Sequence, residues 1–259
     1  MHAVLNYEVS RLHHSKEWIV FIHGAGGSIK TWSRQADAFK DRYNLAFIDL
    51  RDHGKSKNIQ PEYEKYNFQI ITNDIKRVLD ELKIERAHFI TLSFGSVLLQ
   101  DFAFRHPDMI KRAVFVGGIF NGGLLIRAFV FLAKAFNLFL PYPVMYRIFS
   151  YLLMPRKRNQ FARRLYQTQA LKITQKEYMK WLGLYREFFK LLSNFSTQTL
   201  TFPSLVVMGS LDYIFLKNAY IFSDNQALSS IREIEGVGHI ANIESPEVFN
   251  KISLDFLSS

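Results

Sequence analysis

Short apolar runs that end near glycine alternate with longer amphipathic stretches along most of this chain, and that alternation restricts the fold more than any other feature. The runs Trp18–His23, Leu45–Leu50, Ala87–Leu92, Ala113–Val116 and Leu205–Met208 are rich in Val, Ile and Phe and nearly uninterrupted. Strands of that composition are covered on both faces, as in a parallel sheet flanked by helices. Ala3–Leu12 instead alternates, through Val4, Leu5, Tyr7 and Val9, and reads as an antiparallel edge strand. Ile231–Glu235 reads as one more strand. Phe68–Leu82 places Ile71, Ile75, Val78, Leu79 and Leu82 at helical spacing, and Thr31–Phe39 and Gly95–His106 are also predicted helices. Pro246–Leu257 is predicted to begin with Ser245 as N-cap and proline in the first helical position. The expected class is α/β, with a mostly parallel central sheet.

The exception is Asn121–Thr201, about 80 residues between two strands, longer than a compact domain leaves without structure. Its pattern is helical and broken at Pro141, Pro143 and Pro155. It is read as an inserted helical lid (121–201) on a core domain made of 1–120 and 202–259. Leu124–Leu140 reads as a buried or interfacial helix. Arg127 and Lys134 interrupt it, and prolines close it before the ~20 residues of a membrane span.

The chain's 259 residues suit one large α/β domain or two small domains, and at 48% hydrophobic they can bury a sizeable core and are too apolar for disorder. Cysteine is absent, which removes disulfides, thiolate zinc sites and a cysteine nucleophile. Met1–Arg11 lacks the continuous apolar stretch of a signal peptide, so a cytoplasmic protein is expected. The net charge of +10 is not spread evenly. Residues 121–200 hold 13 Lys and Arg against Glu177 and Glu187, whereas the rest of the chain carries 20 bases and 21 acids. Arg156-Lys157-Arg158 and Arg163-Arg164 cluster in mid-segment among nine Phe, six Tyr and one Trp. No recognition motif accompanies them, so nucleic acid is not the expected partner. Two partners fit basic residues interleaved with aromatics: an anionic membrane surface, met peripherally, or an acyl carrier such as coenzyme A or acyl carrier protein. A solvated basic face is the plainer reading.

Phe89–Ser96 reads Phe-Ile-Thr-Leu-Ser-Phe-Gly-Ser: an apolar strand, a serine, glycine two residues later, and a helical pattern at once. That is the shape of a nucleophile elbow, a tight strand-to-helix turn that lifts a serine out of a sheet. Alone the pattern is weak, since any serine near a glycine matches it. Its surroundings strengthen it. His23-Gly24-Ala25-Gly26-Gly27 ends one strand in a glycine-rich turn, and Asp49 to Ser56 follows the next. Met208-Gly209-Ser210-Leu211-Asp212 ends a strand with an aspartate, and Gly236-Val237-Gly238-His239 precedes Glu244-Ser245-Pro246.

With these residues the chain resembles the lidded members of the α/β-hydrolase-fold superfamily, over essentially its whole length outside the lid. The resemblance implies an α/β-hydrolase fold and the order Ser…Asp…His. It assigns Ser93 as nucleophile, Asp212 as triad acid and His239 as base, with the amides of Ala25 and Phe94 as oxyanion donors. A serine hydroxyl is a poor nucleophile until an imidazole takes its proton, and the imidazole needs a carboxylate to fix its tautomer. Plainer readings stand beside these. His239 is one of eight histidines, and Asp212 could cap a following helix. Asp49, Asp52 and His53 are expected to tie the loop after their strand, and His23 to hold the oxyanion loop in shape. His13 and His14 lack a third ligand at metal spacing and read as solvated loop residues. Two positions depart from the family's pattern, Thr91 for the glycine before the elbow and Ser96 for the glycine that often follows it. Both add bulk there.

The implied activity is cleavage of a carboxylic ester or thioester of a hydrophobic acid through an acyl-enzyme, with no metal or organic cofactor. A lid rich in aromatics and leucine suits an acyl chain or aromatic group. Serine at position 93 disfavours the dehalogenase and epoxide hydrolase chemistries, which use aspartate there. The rivals are hydrolysis of a carbon–carbon bond in a vinylogous diketone by the same triad, and a non-catalytic ligand receptor on this fold.

Overall fold

The structure, a computed structural model, describes residues 4–12, 17–136 and 139–259; His13 and His14 lie outside these residues. The elements in chain order are β1 (Tyr7–Ser10), β2 (Trp18–Ile22), α1 (Ser33–Phe39), β3 (Asn44–Ile48), α2 (Phe68–Glu81), β4 (Ala87–Leu92), α3 (Phe94–Arg105), β5 (Ile110–Val116), α4 (Leu124–Phe136), α5 (Tyr142–Leu153), α6 (Gln160–Ala170), α7 (Gln175–Leu182), α8 (Tyr185–Thr197), β6 (Ser204–Gly209), α9 (Leu216–Asp224), β7 (Ser229–Ile234), α10 (Ala241–Glu244) and α11 (Pro246–Ser258). The strands form one sheet in the order β1-β3-β2-β4-β5-β6-β7. β1 is the antiparallel edge, with Tyr7 opposite Ile48, and the other neighbours are parallel. Every residue of β2, β3, β4 and β6 is buried, as uninterrupted apolar runs require, while the outer strand β7 is largely accessible.

α2 shows how the pattern becomes packing. Asn67 caps it by accepting from the Ile70 amide (2.8 Å), and Phe68, Ile71, Ile75, Val78 and Leu79 are buried on one face. Asp74 on that helix is buried too, and the Arg51 guanidinium meets it through Nε (2.6 Å) and Nη2 (2.9 Å). Removing one partner of such a buried pair strands the other and costs about 3–5 kcal/mol. α2 packs on α3 and α8 on α3, whereas α1 packs on α10 and α11. These two groups of helices flank the sheet.

Winding reverses between β2 and β4: β3 lies to one side, β5, β6 and β7 to the other. Open α/β sheets bind ligands in the crevice at such a reversal, outside the carboxyl ends of the strands. Among the described residues, five α-helices, α4 to α8, and a 3₁₀ turn at Lys157–Asn159 lie between β5 and β6. No described helix is long and apolar enough to cross a membrane.

Four local expectations need correction. Pro143 does not break a helix; it sits in the first turn of α5, where a missing N–H costs nothing. Thr31–Phe39 is divided, a 3₁₀ turn over Ile29–Trp32 giving way to α1. Ser245 holds the position before α11 with no side-chain cap bond. Arg163 is buried: its guanidinium donates to the carbonyls of Met154 and Arg156 and lies 4.2 Å over the Tyr151 ring, so it serves the packing of α5 against α6.

Candidate active site

Ser93 follows β4 directly, with φ of 52° and ψ of −118°. A non-glycine residue persists there only when its surroundings hold it. Its amide donates to the Val116 carbonyl (2.9 Å), and its carbonyl accepts from the amide of Ser96 (2.8 Å) and from Ser96 Oγ (2.6 Å). Ser96 Oγ accepts in turn from the Ile119 amide (2.9 Å). Ser96 thus ties the turn to the loop after β5, which a glycine could not do. Gly95 is obligatory, because a Cβ there would lie 2.6 Å from the Ile22 carbonyl and 2.8 Å from that of His23. Thr91 fits fully buried, paired in register with Ile22 and Phe115, and its hydroxyl lacks a partner among the described residues.

Asp212 sits in the turn after β6 and His239 in the loop after β7. His239 Nδ1 lies 2.7 Å from Asp212 Oδ2, and Nε2 lies 2.8 Å from Ser93 Oγ. A carboxylate only accepts, so the proton belongs on Nδ1, and Nε2 of the neutral ring is left to accept from the serine hydroxyl. Asp212 Oδ1 accepts from the Phe215 amide (3.3 Å), so the carboxylate also caps the turn leading to α9 with its other oxygen. Asp212 and His239 are buried, and the imidazole packs 5.0 Å from the Phe215 ring. Gly117, at φ of +53°, lets the loop after β5 pass beneath; a Cβ there would lie 2.5 Å from the His239 carbonyl. Glu244, the other carboxylate near the histidine loop, accepts from the Gly238 amide (3.0 Å) and from Asn159 (2.6 Å), away from the imidazole nitrogens.

The turn after β2 lies across from the elbow. The Gly27 amide donates to the Gly24 carbonyl (3.0 Å), closing a turn whose third residue, Gly26, has φ of +71°. Both peptide planes around Ala25 are pinned. The Gly24 carbonyl also accepts from His23 Nδ1 (2.8 Å), and the Gly26 amide donates to His53 Nε2 (2.9 Å). The Ala25 carbonyl accepts from the Tyr146 hydroxyl of α5 (2.6 Å). The Ala25 amide is bonded to no acceptor among the described residues, nor is that of Phe94 at the first position of α3. His23 Nε2 accepts from the Leu50 amide (3.0 Å) and His53 Nδ1 donates to the Arg51 carbonyl (2.8 Å), so both rings are neutral struts. Burial lowers both imidazoles from the ordinary histidine value, His53 to about 3. Asp49 accepts from the amides of Ile29 and Lys55 (2.8 Å each) and from Asn6, tying its loop as expected of it. Asp52 accepts from Tyr66 (2.8 Å) and from the Trp181 indole of α7 (3.1 Å), and burial raises its carboxyl above the usual range.

α6 covers these groups. Leu165, Tyr166 and Gln169 close a cavity over Ala25, Ser93 and His239 of only about 20 Å³, room for about one water. Ser28 donates to Gln169 (3.0 Å), fastening α6 to the core. Tyr146, Gln169 and Trp181 escaped the sequence reading, since each reaches its partner across 120 residues or more with no local signal. Among the described residues no group of three or more His, Asp or Glu side chains could hold a metal ion.

A family model described as alpha/beta hydrolase fold matches residues 17–144. Protein ABHD8 of Mus musculus is 26% identical over 253 residues, 92% of this chain and 54% of that protein. A 2-hydroxy-6-oxononadienedioate/2-hydroxy-6-oxononatrienedioate hydrolase of Paraburkholderia phymatum is 33% identical over 107 residues, 40% of this chain and 36% of that protein. The crystal structure of the enol-lactonase from Burkholderia xenovorans LB400 matches with a TM-score of 0.79 at 21% identity, covering 98% of this chain and 96% of that one. The chain spans about half the length, or less, of these curated relatives. The chain has the α/β-hydrolase fold.

Proposed function

We propose that the chain is a serine hydrolase that cleaves a carboxylic ester or thioester of a hydrophobic acyl group through an acyl-enzyme. The observation that carries this reading is the hydrogen-bonded line from Asp212 through His239 to Ser93, with Ser93 held on a strained turn. Ser93 Oγ attacks the carbonyl carbon as its proton passes to His239 Nε2, and Asp212 stabilises the imidazolium. The negative oxygen that forms is held by the Ala25 and Phe94 amides, fixed before the substrate arrives; such donors are worth ~10²–10³ in rate each. The carbon–oxygen or carbon–sulfur bond then breaks, and the leaving group takes the proton from Nε2. Water repeats the sequence on the acyl-enzyme, releasing the acid and restoring the Ser93 hydroxyl. Residues 121–201 act as the lid in this reading, and α6 has to move for any acyl chain to enter.

A fluorophosphonate probe is expected to label Ser93, and Ser93→Ala to abolish both labelling and hydrolysis of p-nitrophenyl esters of graded chain length. Labelling of another serine, or none in folded protein, would overturn the assignment. The stretch shared with the Paraburkholderia hydrolase favours a second reading, carbon–carbon cleavage of a vinylogous diketone by the same three residues. Bleaching of such a substrate's absorbance, with esters left intact, would select it.

A further inference from the structure

From the structure we infer a docking surface for an anionic phospholipid bilayer on the outer faces of α4 and α5. On α4 the exposed residues Leu124, Arg127, Ala128, Phe131, Leu132 and Phe136 form a stripe at three- and four-residue spacing that Phe139 extends, with exposed Lys134 beside it. Leu124 is 85% exposed, Phe131 70% and Phe139 83%. α5 repeats the device: Val144, Arg147, Ile148, Tyr151 and Leu152 are exposed at the same spacing. An open groove of about 530 Å³, lined by Phe139, Pro143 and Ile173 among others, joins the end of the first stripe to the start of the second. Helices of globular cores turn such stripes inward, and contiguous exposed apolar patches mark interaction sites.

Charge decides what covers it. No Asp or Glu occurs from residue 109 to residue 176, a span that contains both stripes. Of the segment's two acids, half-buried Glu177 pairs with Lys57 (2.8 Å) and exposed Glu187 accepts from the Phe68 amide (3.3 Å), so each is engaged by a residue outside the two stripes. The α5 stripe carries Arg147 and runs out into exposed Arg156 and Lys157. Apolar and aromatic side chains to enter the acyl boundary, with Arg and Lys beside them to meet phosphate, are what an interfacial helix presents. An acidic carrier protein would need the bases but not the exposed phenylalanines.

The test is co-sedimentation of the full chain with vesicles of phosphatidylcholine alone or mixed equally with phosphatidylglycerol, at low and high salt. Binding is expected to the mixed vesicles only, and to weaken with salt. Phe131→Ser with Phe139→Ser, and separately Arg147→Gln with Arg156→Gln and Lys157→Gln, should each reduce partitioning at least tenfold while leaving the far-ultraviolet spectrum and hydrolysis of a small neutral ester unchanged. No pelleting with mixed vesicles at low salt would overturn the proposal. So would pelleting that the charge variant abolishes and the phenylalanine variant leaves intact, which would point to a purely electrostatic partner such as an acyl carrier. The readout is binding, so it stands or falls independently of the hydrolase reading.

Discussion

A hydroxyl, an imidazole and a carboxylate become more than neighbours only when each is held in one protonation geometry, and at Asp212 two demands meet in one side chain. Oδ1 caps the turn through the Phe215 amide while Oδ2 holds His239 Nδ1. Asp212→Asn should keep the turn, because an amide oxygen can still accept from Phe215. It removes the acceptor that fixes the proton on Nδ1, and in the reading proposed for this site ester turnover falls by up to ~10⁴-fold with little change in melting temperature. Steady-state kinetics beside a thermal melt checks this; unchanged turnover would mean that another carboxylate does the work. Ser93, Asp212 and His239 were legible because each stands where an apolar run or its following loop ends beside glycine. The tasks of His53 and Ser96 were less so. Their partners, the amides of Gly26 and Ile119, lie on other loops, and no periodicity announces a side chain that bonds a distant backbone.

At the scale of elements, strands whose residues are all buried were the most readable, since burial on both faces leaves a continuous apolar run. Edges were less so: β7 fully buries only Ile234 and starts two positions before the run expected for it. The helices between β5 and β6 could be counted only loosely, because proline marks both breaks and first turns. Apolar residues such as Leu192 and Phe195 of α8 join the main core, and long-range polar contacts add to this packing, as α5 shows. The Tyr146 hydroxyl donates to the Ala25 carbonyl, and a Cβ on Gly26 would lie 1.9 Å from that hydroxyl, so helix and turn fit only with glycine there. Tyr146→Phe keeps the ring stack on Tyr166 (4.7 Å) but strands the carbonyl, a loss of about 1–3 kcal/mol. The expected result is faster amide exchange in α5 and α6 and faster fluorophosphonate labelling of Ser93, because the covering helices open more often. Unchanged exchange and labelling would show that this bond does not hold the cover.

For the whole molecule, the buried histidines set how stability depends on pH. His53 is driven to about 3 and His88 to about 4, in both cases mainly by burial, and His23 is lowered by the same cause. An unfolded chain binds these protons near pH 6.5, the ordinary histidine value. Above that pH neither state is protonated at these rings, and they add no slope. As the pH falls below 6.5 the unfolded state takes up protons that the folded state refuses, so stability drops by about 1.4 kcal/mol per pH unit for each such ring. The loss continues until the folded rings accept protons, near pH 4 for His88 and near 3 for His53. Urea unfolding midpoints should therefore be level from about pH 7.5 to 6.5 and fall steeply from 6.5 to 5, before most carboxylates titrate. His53→Gln, which keeps an amide group at the position next to Gly26, should remove roughly one ring's share of that slope. A level midpoint down to pH 5 would mean that the folded protein accepts these protons, and that the struts beneath the Ala25 turn are not held neutral.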